Sequence, residues 1–515
     1  MRTKINKQKC PPLLLCDFYK TVHSEQYNPN ITKLVSYFTP RMSRIADENE
    51  LIIFGLQAFI REYLIDYFDE NFFNRPKEEV VNEYDRYLKY TLGEGTYKID
   101  KVEALYDLGY LPLEIKAIPE GTRVPIKVPM IEISNTHPDF AWVTNAIESL
   151  MSCSLWHTMI SANVGYKYRE IVNKYYDISV EDSIPRNRAL GDFSMRGQES
   201  LESAVSSASA FCLSFLNTAT VPTITYLENN YYCNIENEDV IFGSPSTEHS
   251  VMCSNTAIDG DEITFIKKLL TEIYPNNSFS MVSDSYDYWN VITNLLPKCK
   301  KEILNHNGKF IVRPDSGNPI DIVCGTQIKT DNNSTPEELG TIECLWNIFG
   351  GTINSKGFKV LDSHIRVIYG DGITLNRAEE IYKRLIAKGF SCENVTFGVG
   401  SFSMQCLEEN NGVLSPFTRD TFSIAVKATY CELDGEPIMI FKNPKTDKDN
   451  FKKSQKGCCL VYYDEEGNLR YKDELTFSDV QDNPDNQLIT VFKNSEMIKE
   501  YSLSEIRNRL WNSKF

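Results

Sequence analysis

The sequence predicts an α/β protein: an irregular (β/α) barrel with a flanking mixed α+β domain built from both chain ends. Three observations carry this. From about Phe193 to Phe402, short apolar runs rich in β-branched or aromatic residues end abruptly in Gly, Asp, Arg, Ser or His. Several of these runs are separated by segments whose apolar residues recur at three- and four-residue intervals, the period of a helix. The two chain ends lack this alternation and mix strand-like and helix-like stretches.

In chain order, residues 1–155 form the N-terminal part of the flanking domain, with a strand expected over 33–38 and a helix over 51–68. Segments 112–129 and 130–134 read as extended and hairpin-like. Residues 156–404 form the barrel. Its expected strands include Val240-Ile241-Phe242-Gly243, Phe279 to Asp284, Phe310 to Asp315, Ile365 to Gly372 and Val395 to Gly400, with helices over 263–273 and 375–388. Residues 405–515 return to the flanking domain, with strands over 438–441 and 457–463 and a Lys/Asp-rich loop over 442–456. Continuous apolar strands alternating with helices indicate a parallel sheet covered on both faces. Polar residues at strand ends match the functional rim of an α/β barrel. An open doubly wound sheet places its ligands at the same ends. The barrel is preferred because at least five successive strand ends carry candidate site residues.

At 515 residues the chain can bury a large core. Hydrophobic content of 42% with 28 Tyr and 27 Phe argues against disorder. A net charge of −17 disfavours nucleic acid as a partner, because phosphate backbones attract basic surfaces. It leaves room for a small phosphorylated substrate, which a few converging Arg, Lys and helix N-termini can hold. The basic stretch Met1 to Lys9 is followed only by Leu13-Leu14-Leu15-Cys16 before Asp17, so no signal peptide is read. No window reaches the roughly eighteen apolar residues of a membrane span. The 14 cysteines are scattered, with Cys458-Cys459 the only tight pair, and show no zinc spacing. Reduced thiols and a cytoplasmic location are expected.

The strongest local signal is Arg313-Pro314-Asp315-Ser316-Gly317-Asn318-Pro319, where a cation, a carboxylate and a hydroxyl follow a buried-looking strand. A strand-ending turn with a surface ion pair is the bland alternative. Gly370-Asp371-Gly372 combines close backbone approach with an acceptor for sugar hydroxyls, although Asp-Gly is also a common turn. Gly398-Val399-Gly400-Ser401 offers amides to a phosphate or is a plain tight turn. Thr247-Glu248-His249-Ser250 and Ser283-Asp284-Ser285-Tyr286-Asp287 follow neighbouring strands, so a carboxylate of one can orient the imidazole of the other. Gly191 to Gly197 places the Phe193 ring three residues from the Arg196 guanidinium, equally readable as a core Phe beside a surface Arg.

Taken with Asp17-Phe18-Tyr19-Lys20, Phe54-Gly55-Leu56-Gln57 and Thr418-Arg419-Asp420, these segments resemble the nicotinamide phosphoribosyltransferases, of the type II phosphoribosyltransferase family. The resemblance runs from about residue 12 to the segment Phe492 to Arg507. It implies a reaction of nicotinamide with phosphoribosyl pyrophosphate, assisted by Mg²⁺, in a homodimer with shared active sites. Phe193 would stack on one face of the pyridine and Tyr19 of a second subunit on the other. Arg313 would lie near ring and ribose, Asp371 would hold ribose hydroxyls, and Asp315 would serve the ribose, the metal or the developing sugar cation. Gly400 and Ser401 would receive the nucleotide phosphate, with Arg196 nearby. Arg41, Arg419, Lys427 and Lys442 would supply cations to the pyrophosphate across the dimer. His249, beside Glu248 and Asp284, would be phosphorylated by ATP.

Three positions depart from the family pattern. Ala219 stands where nicotinamide-using relatives carry Asp, which leaves the preference for amide or acid open. Ala425 replaces a phosphate-side Ser, and Ser401 a second loop Gly. A nicotinate phosphoribosyltransferase and a non-catalytic nucleotide-binding homologue are the alternatives.

Overall fold

The computed structural model describes residues 9–409, 412–446, 453–512 and 515. The described residues of Met1–Ile160, Asn229–Tyr232 and Phe417–Ser513 form one compact unit; those of Ser161–Glu228, Cys233–Pro416 and Lys514–Phe515 form another. The chain first passes between them inside the 32-residue helix Glu148–Ser179.

The first unit is organised by a seven-stranded sheet whose order is Glu436–Met439, Ala425–Leu433, Ile31–Thr39, Ile131–Asn135, Leu113–Ala117, Ile489–Lys493 and Glu496–Met497. All its pairings are antiparallel, with Val35 opposite Tyr430 and Ile115 opposite Ile133. N-terminal strands hold the centre and C-terminal strands both edges, so the flanking domain draws on both chain ends. The strands Leu113–Ala117 and Ile131–Asn135 are buried throughout, polar residues included. Buried polar groups persist where they are paired: the Tyr37 hydroxyl donates to Glu132 at 2.6 Å, and the Lys116 ammonium lies 4.0 Å from the same carboxylate.

The helix expected over 51–68 is corrected at its start. Glu50–Ile52 is a strand paired with Arg123–Pro125, and the helix begins at Leu56 after Gly55, whose φ of +97° ends the extended run. Leu51 to Phe54 are all buried, a run that fits a short strand as well as a helix face. Of the loop expected over 442–456, residues 447–452 lie outside the described residues.

The second unit contains a curled parallel sheet of six strands, ordered Asn217–Thr218, Leu190–Asp192, Val395–Val399, Ile365–Tyr369, Phe310–Arg313 and Phe279–Val282. Its two edges are bridged by one irregular segment. Phe242 pairs in parallel with Asn217 at one edge, and Ser246 with Ser280 at the other. The expected strand Val240 to Gly243 is therefore reduced to a single bridge, because the segment must turn from one edge to the other within a few residues. Phe242 N–H donates to the Leu216 carbonyl at 2.6 Å, and Thr247 N–H to that of Ser280 at 3.0 Å. The ring that results follows chain order, and the C-terminal ends of its strands share one rim. Among the described residues, no helix is long and apolar enough to cross a membrane.

One buried acid in the first unit makes stability depend on pH. Glu120 accepts the Gln57 N–H at 2.9 Å, yet burial raises its carboxyl from 4.5 to about 7. The folded protein keeps this proton where the unfolded chain has lost it, so stability falls as pH rises from about 4.5 to about 7. Glu120→Gln is expected to raise the unfolding free energy at pH 8 by at most about 3 kcal/mol, with a smaller gain at pH 5. Equal urea midpoints at pH 8 would remove Glu120 as the cause.

Candidate active site

The rim of the second unit collects most of the residues singled out in the sequence. Arg313 ends its strand half-buried, and its guanidinium donates to the Thr247 carbonyl at 2.6 Å. Its Nε is buried and has no hydrogen-bond partner among the described residues. The loop beyond it is gripped by Asp284, whose Oδ2 accepts Asp315 N–H at 3.0 Å and the Ser316 hydroxyl at 2.5 Å. The other oxygen, Oδ1, is buried and accepts no hydrogen bond among the described residues. Gly317 turns the loop at φ +91°, and Asn318 caps the following helix Pro319–Cys324 by accepting Ile320 N–H at 3.1 Å.

His249 opens the helix His249–Asp259 with its side chain about half exposed. Its Nε2 lies 3.9 Å from Asp284 Oδ1 and 3.8 Å from Asp315 Oδ2, facing both carboxylates without a short bond to either. The hydrogen bond that orients the ring comes from Ser285, whose Oγ is 3.0 Å from Nδ1. Sequence reasoning quoted Ser285 without assigning it a role.

Phe193 is half-buried, and its backbone N–H donates to the Val399 carbonyl at 2.8 Å. Its ring lies against two glycines. A Cβ at Gly370 would come within 2.9 Å of Phe193 Cδ2, and one at Gly398 would overlap the same ring. Neither glycine has positive φ, so close approach alone requires them. The contact sets the ring beside the turn bearing Asp371, which is exposed. That turn is held by Arg377, donating to the Gly372 carbonyl at 2.7 Å, and by Tyr168 and Ser403, both donating to the Ile373 carbonyl.

Gly400 precedes the short helix Ser401–Gln405 and would have open space around a Cβ. Gly197 packs so closely on Ser401 that any Cβ would collide with its hydroxyl, and Gln405 donates to the Gly197 carbonyl at 3.0 Å. Exposed Arg196 thus stands one residue from the Ser401 contact. Ala219 is exposed, and its N–H donates to the Asp192 carbonyl at 2.8 Å. The Asp192 side chain is buried and accepts the hydroxyls of Thr218 and Thr220, each at 2.8 Å.

The remaining candidates belong to the first unit. Tyr19 is 60% exposed, 5.4 Å from the His23 ring. Partial burial and the Asp17 carboxylate raise its phenol above the ordinary value, with the Arg419 charge acting in the opposite direction. Glu148 links this segment to Lys427, accepting Lys20 at 2.8 Å and Lys427 at 3.2 Å. Arg41 donates through Nε to the Ser423 carbonyl at 3.0 Å, and Arg419 pairs with Asp420 at 3.0 Å. Lys442 is exposed, its backbone N–H donating to Ser454 Oγ at 2.8 Å, and its ammonium joins none of these contacts.

Residues 189–496 match the nicotinate phosphoribosyltransferase (NAPRTase) family, and residues 12–93 match the N-terminal domain of nicotinamide phosphoribosyltransferase. The chain is 38% identical over 513 residues to a nicotinamide phosphoribosyltransferase of Acinetobacter baylyi, covering 97% of each. The chain belongs to the nicotinamide phosphoribosyltransferase family. A second member, from Xanthomonas campestris, is 28% identical and covers 96% of this chain and 97% of its own. Among solved structures, a nicotinate-nucleotide pyrophosphorylase from Pyrococcus furiosus matches with a TM-score of 0.54 at 12% identity, covering 98% of each chain. Human nicotinic acid phosphoribosyltransferase matches with a TM-score of 0.52 at 14% identity, covering 97% of this chain and 93% of its own. These two share the fold of this family member.

The glycine beneath the ring is open to test. Gly398→Ala is expected to push Phe193 off its seat and weaken binding of a pyridine base by about tenfold or more, within the range of lost aromatic contacts. Calorimetric titration of the base into the folded variant checks this, and unchanged affinity would show that the ring position is immaterial.

Proposed function

We propose that this family member joins nicotinamide to phosphoribosyl pyrophosphate, giving nicotinamide mononucleotide and pyrophosphate in NAD salvage. The observation that carries the reading is the rim itself: the Phe193 ring seated on Gly370 and Gly398, beside the Asp371 turn, with Arg313 and the Asp284-held Asp315 at the next strand ends. An aromatic face for a planar base, a carboxylate for sugar hydroxyls and a second carboxylate near the anomeric carbon are what a pentosyl transfer needs.

The pyridine nitrogen already has a free lone pair, so no strong base is required. The nitrogen–carbon bond forms as the carbon–oxygen bond to pyrophosphate breaks. Positive charge develops on the sugar and negative charge departs with the leaving group. Catalysis therefore rests on positioning and charge stabilisation. Asp315 stabilises the sugar cation, Asp371 fixes the ribose, and Arg313 packs beside ring and ribose. Gly400 and Ser401, with Arg196 close by, receive the nucleotide phosphate.

Mg²⁺ fits these residues. It is held by one or two carboxylates together with substrate phosphates rather than by a full protein cage. The described residues contain no group of three metal-binding side chains, but they do offer Asp315 and the unpartnered Asp284 Oδ1. Bound there, Mg²⁺ supplies charge to the leaving pyrophosphate. Arg41, Arg419, Lys427 and Lys442, with Tyr19, complete the site from a second subunit of a homodimer. ATP phosphorylates His249, whose half-exposed ring is oriented by Ser285. Fourteen free cysteines agree with a cytoplasmic setting.

Ala219 favours a second reading, with nicotinate as the base, because a methyl group stands where a carboxylate would repel the acid. Pyrophosphate release measured with each base in parallel decides between them, and release with neither would end both readings. Ala219→Asp is expected to raise discrimination against nicotinate by roughly tenfold, the scale of one unfavourable charge contact. An unchanged ratio of rates would show that position 219 does not read the base. Asp315→Asn is expected to lower turnover by roughly a hundredfold, as for loss of one group that stabilises developing charge. Near-normal turnover in the folded variant would make Asp315 a bystander.

A further inference from the structure

Tyr369 stands at the end of the strand that leads into Gly370-Asp371-Gly372 and is fully buried. Its single hydroxyl proton is shared between two carbonyls of the neighbouring loop, Ser316 at 3.0 Å and Gly317 at 3.1 Å. That loop carries Asp315 and is gripped from the other side by Asp284. Loops at a barrel rim are the mobile part of such a fold, and Gly317 at φ +91° adds freedom to this one. Without an anchor on the Tyr369 side, the backbone that carries Asp315 would be tied to its neighbours chiefly through Asp284.

We propose that Tyr369 is a positioning residue: its hydroxyl ties the Asp315 loop to the strand that carries Asp371 and backs Phe193, and so sets the spacing between the two carboxylates. This rests on the roles given to Asp315 and Asp371 above. The arrangement suits the task in two further ways. The ring is fully buried at the end of a strand, so the donor is held by a rigid element. Burial, then the charges of Asp371, Asp284 and Asp315, hold the phenol well above its ordinary value. The hydroxyl therefore keeps its proton and donates across the working pH range, and the tie adds no pH dependence of its own. Tyr369 was not marked in the sequence because nothing local distinguishes it from a core aromatic.

Tyr369→Phe keeps the ring and removes only the donor. Turnover in the pyrophosphate-release assay should fall by roughly ten- to hundredfold, as expected for a displaced reacting group, with the KM for the base within about twofold. In an Asp315→Asn background the same substitution should add nothing, because both changes act through one carboxylate. Independent, additive losses in the double variant, or full turnover in Tyr369→Phe, overturn the proposal.

Hydrogen exchange gives a readout that needs no turnover. The amides of residues 315–317 should exchange faster in Tyr369→Phe, while those of Val395–Val399 stay protected. Unchanged exchange in the loop overturns the tie whether or not the protein turns over a base. A general loss of protection marks a merely structural role and also overturns it. If the wild-type protein releases no pyrophosphate with either base while the loop loosens as expected, the functional reading fails and the tie stands.

Discussion

The closure of the parallel ring by residues 242–247 is the constraint on which the site depends. An open parallel sheet leaves two edges of unpaired amides and carbonyls, and such edges must be covered or paired. Here one short segment pairs with Asn217 at one edge and Ser280 at the other. The same segment ends in Thr247, whose carbonyl accepts Arg313 and whose hydroxyl accepts Val282 N–H at 3.0 Å. His249 follows two residues later at the start of its helix. Closing the ring therefore also fixes the guanidinium and delivers the imidazole to the carboxylates. A ring left open at this point would lose the Arg313 anchor together with the edge.

Glycines and acids divide the remaining work at the rim. Gly370 and Gly398 lack side chains where the Phe193 ring rests, and Gly197 lacks one where Ser401 rests. In each case a backbone is approached by a side chain of a different rim segment, so the aromatic ring and the Ser401 loop are placed by van der Waals contact with rigid elements. Contacts of this kind tolerate little displacement, because packed interiors have no slack to absorb a methyl group. The acids act by hydrogen bonding instead. Asp284 spends one oxygen on the Asp315 loop and leaves the other without a hydrogen bond among the described residues, whereas Asp192 takes Thr218 and Thr220 on Oδ2 and the Ser194 N–H on Oδ1. One carboxylate is thus engaged at both oxygens, and the other at one.

The strand ends were legible because each bears a polar residue immediately after a buried run, and that pattern needs only local sequence. Phe279–Val282, Phe310–Arg313, Ile365–Tyr369 and Val395–Val399 all fall where it places them. Val240 to Gly243 shows the same local pattern without forming a regular strand, since its geometry is dictated by the two edges it must reach. Leu51 to Phe54 failed for a different reason: four buried apolar residues carry no period, and Gly55 decides the matter by its backbone conformation. Ser285 and Tyr369 were missed as functional groups because their partners lie 36 and 53 residues away in sequence. The first passage between the two units left no linker signature, as it runs through the continuous helix Glu148–Ser179.

The acidic composition is compatible with a few well-placed cations once each is followed to its partner. In the first unit Glu148 takes both Lys20 and Lys427, and Arg419 is paired with Asp420. Pairing lowers the self-repulsion of clustered cations and holds long side chains in place before a ligand arrives. The exposed Arg419–Asp420 pair is weak, of order 0–1 kcal/mol, so an anion can displace that carboxylate at little cost. Arg313 is arranged in the opposite way: its guanidinium donates to a neutral carbonyl, and its Nε has no hydrogen-bond partner among the described residues. A half-buried guanidinium without a direct salt bridge attracts an anionic group that reaches it. The protein can be acidic overall and still present, at one rim, a cation whose guanidinium donates to a carbonyl rather than to a carboxylate.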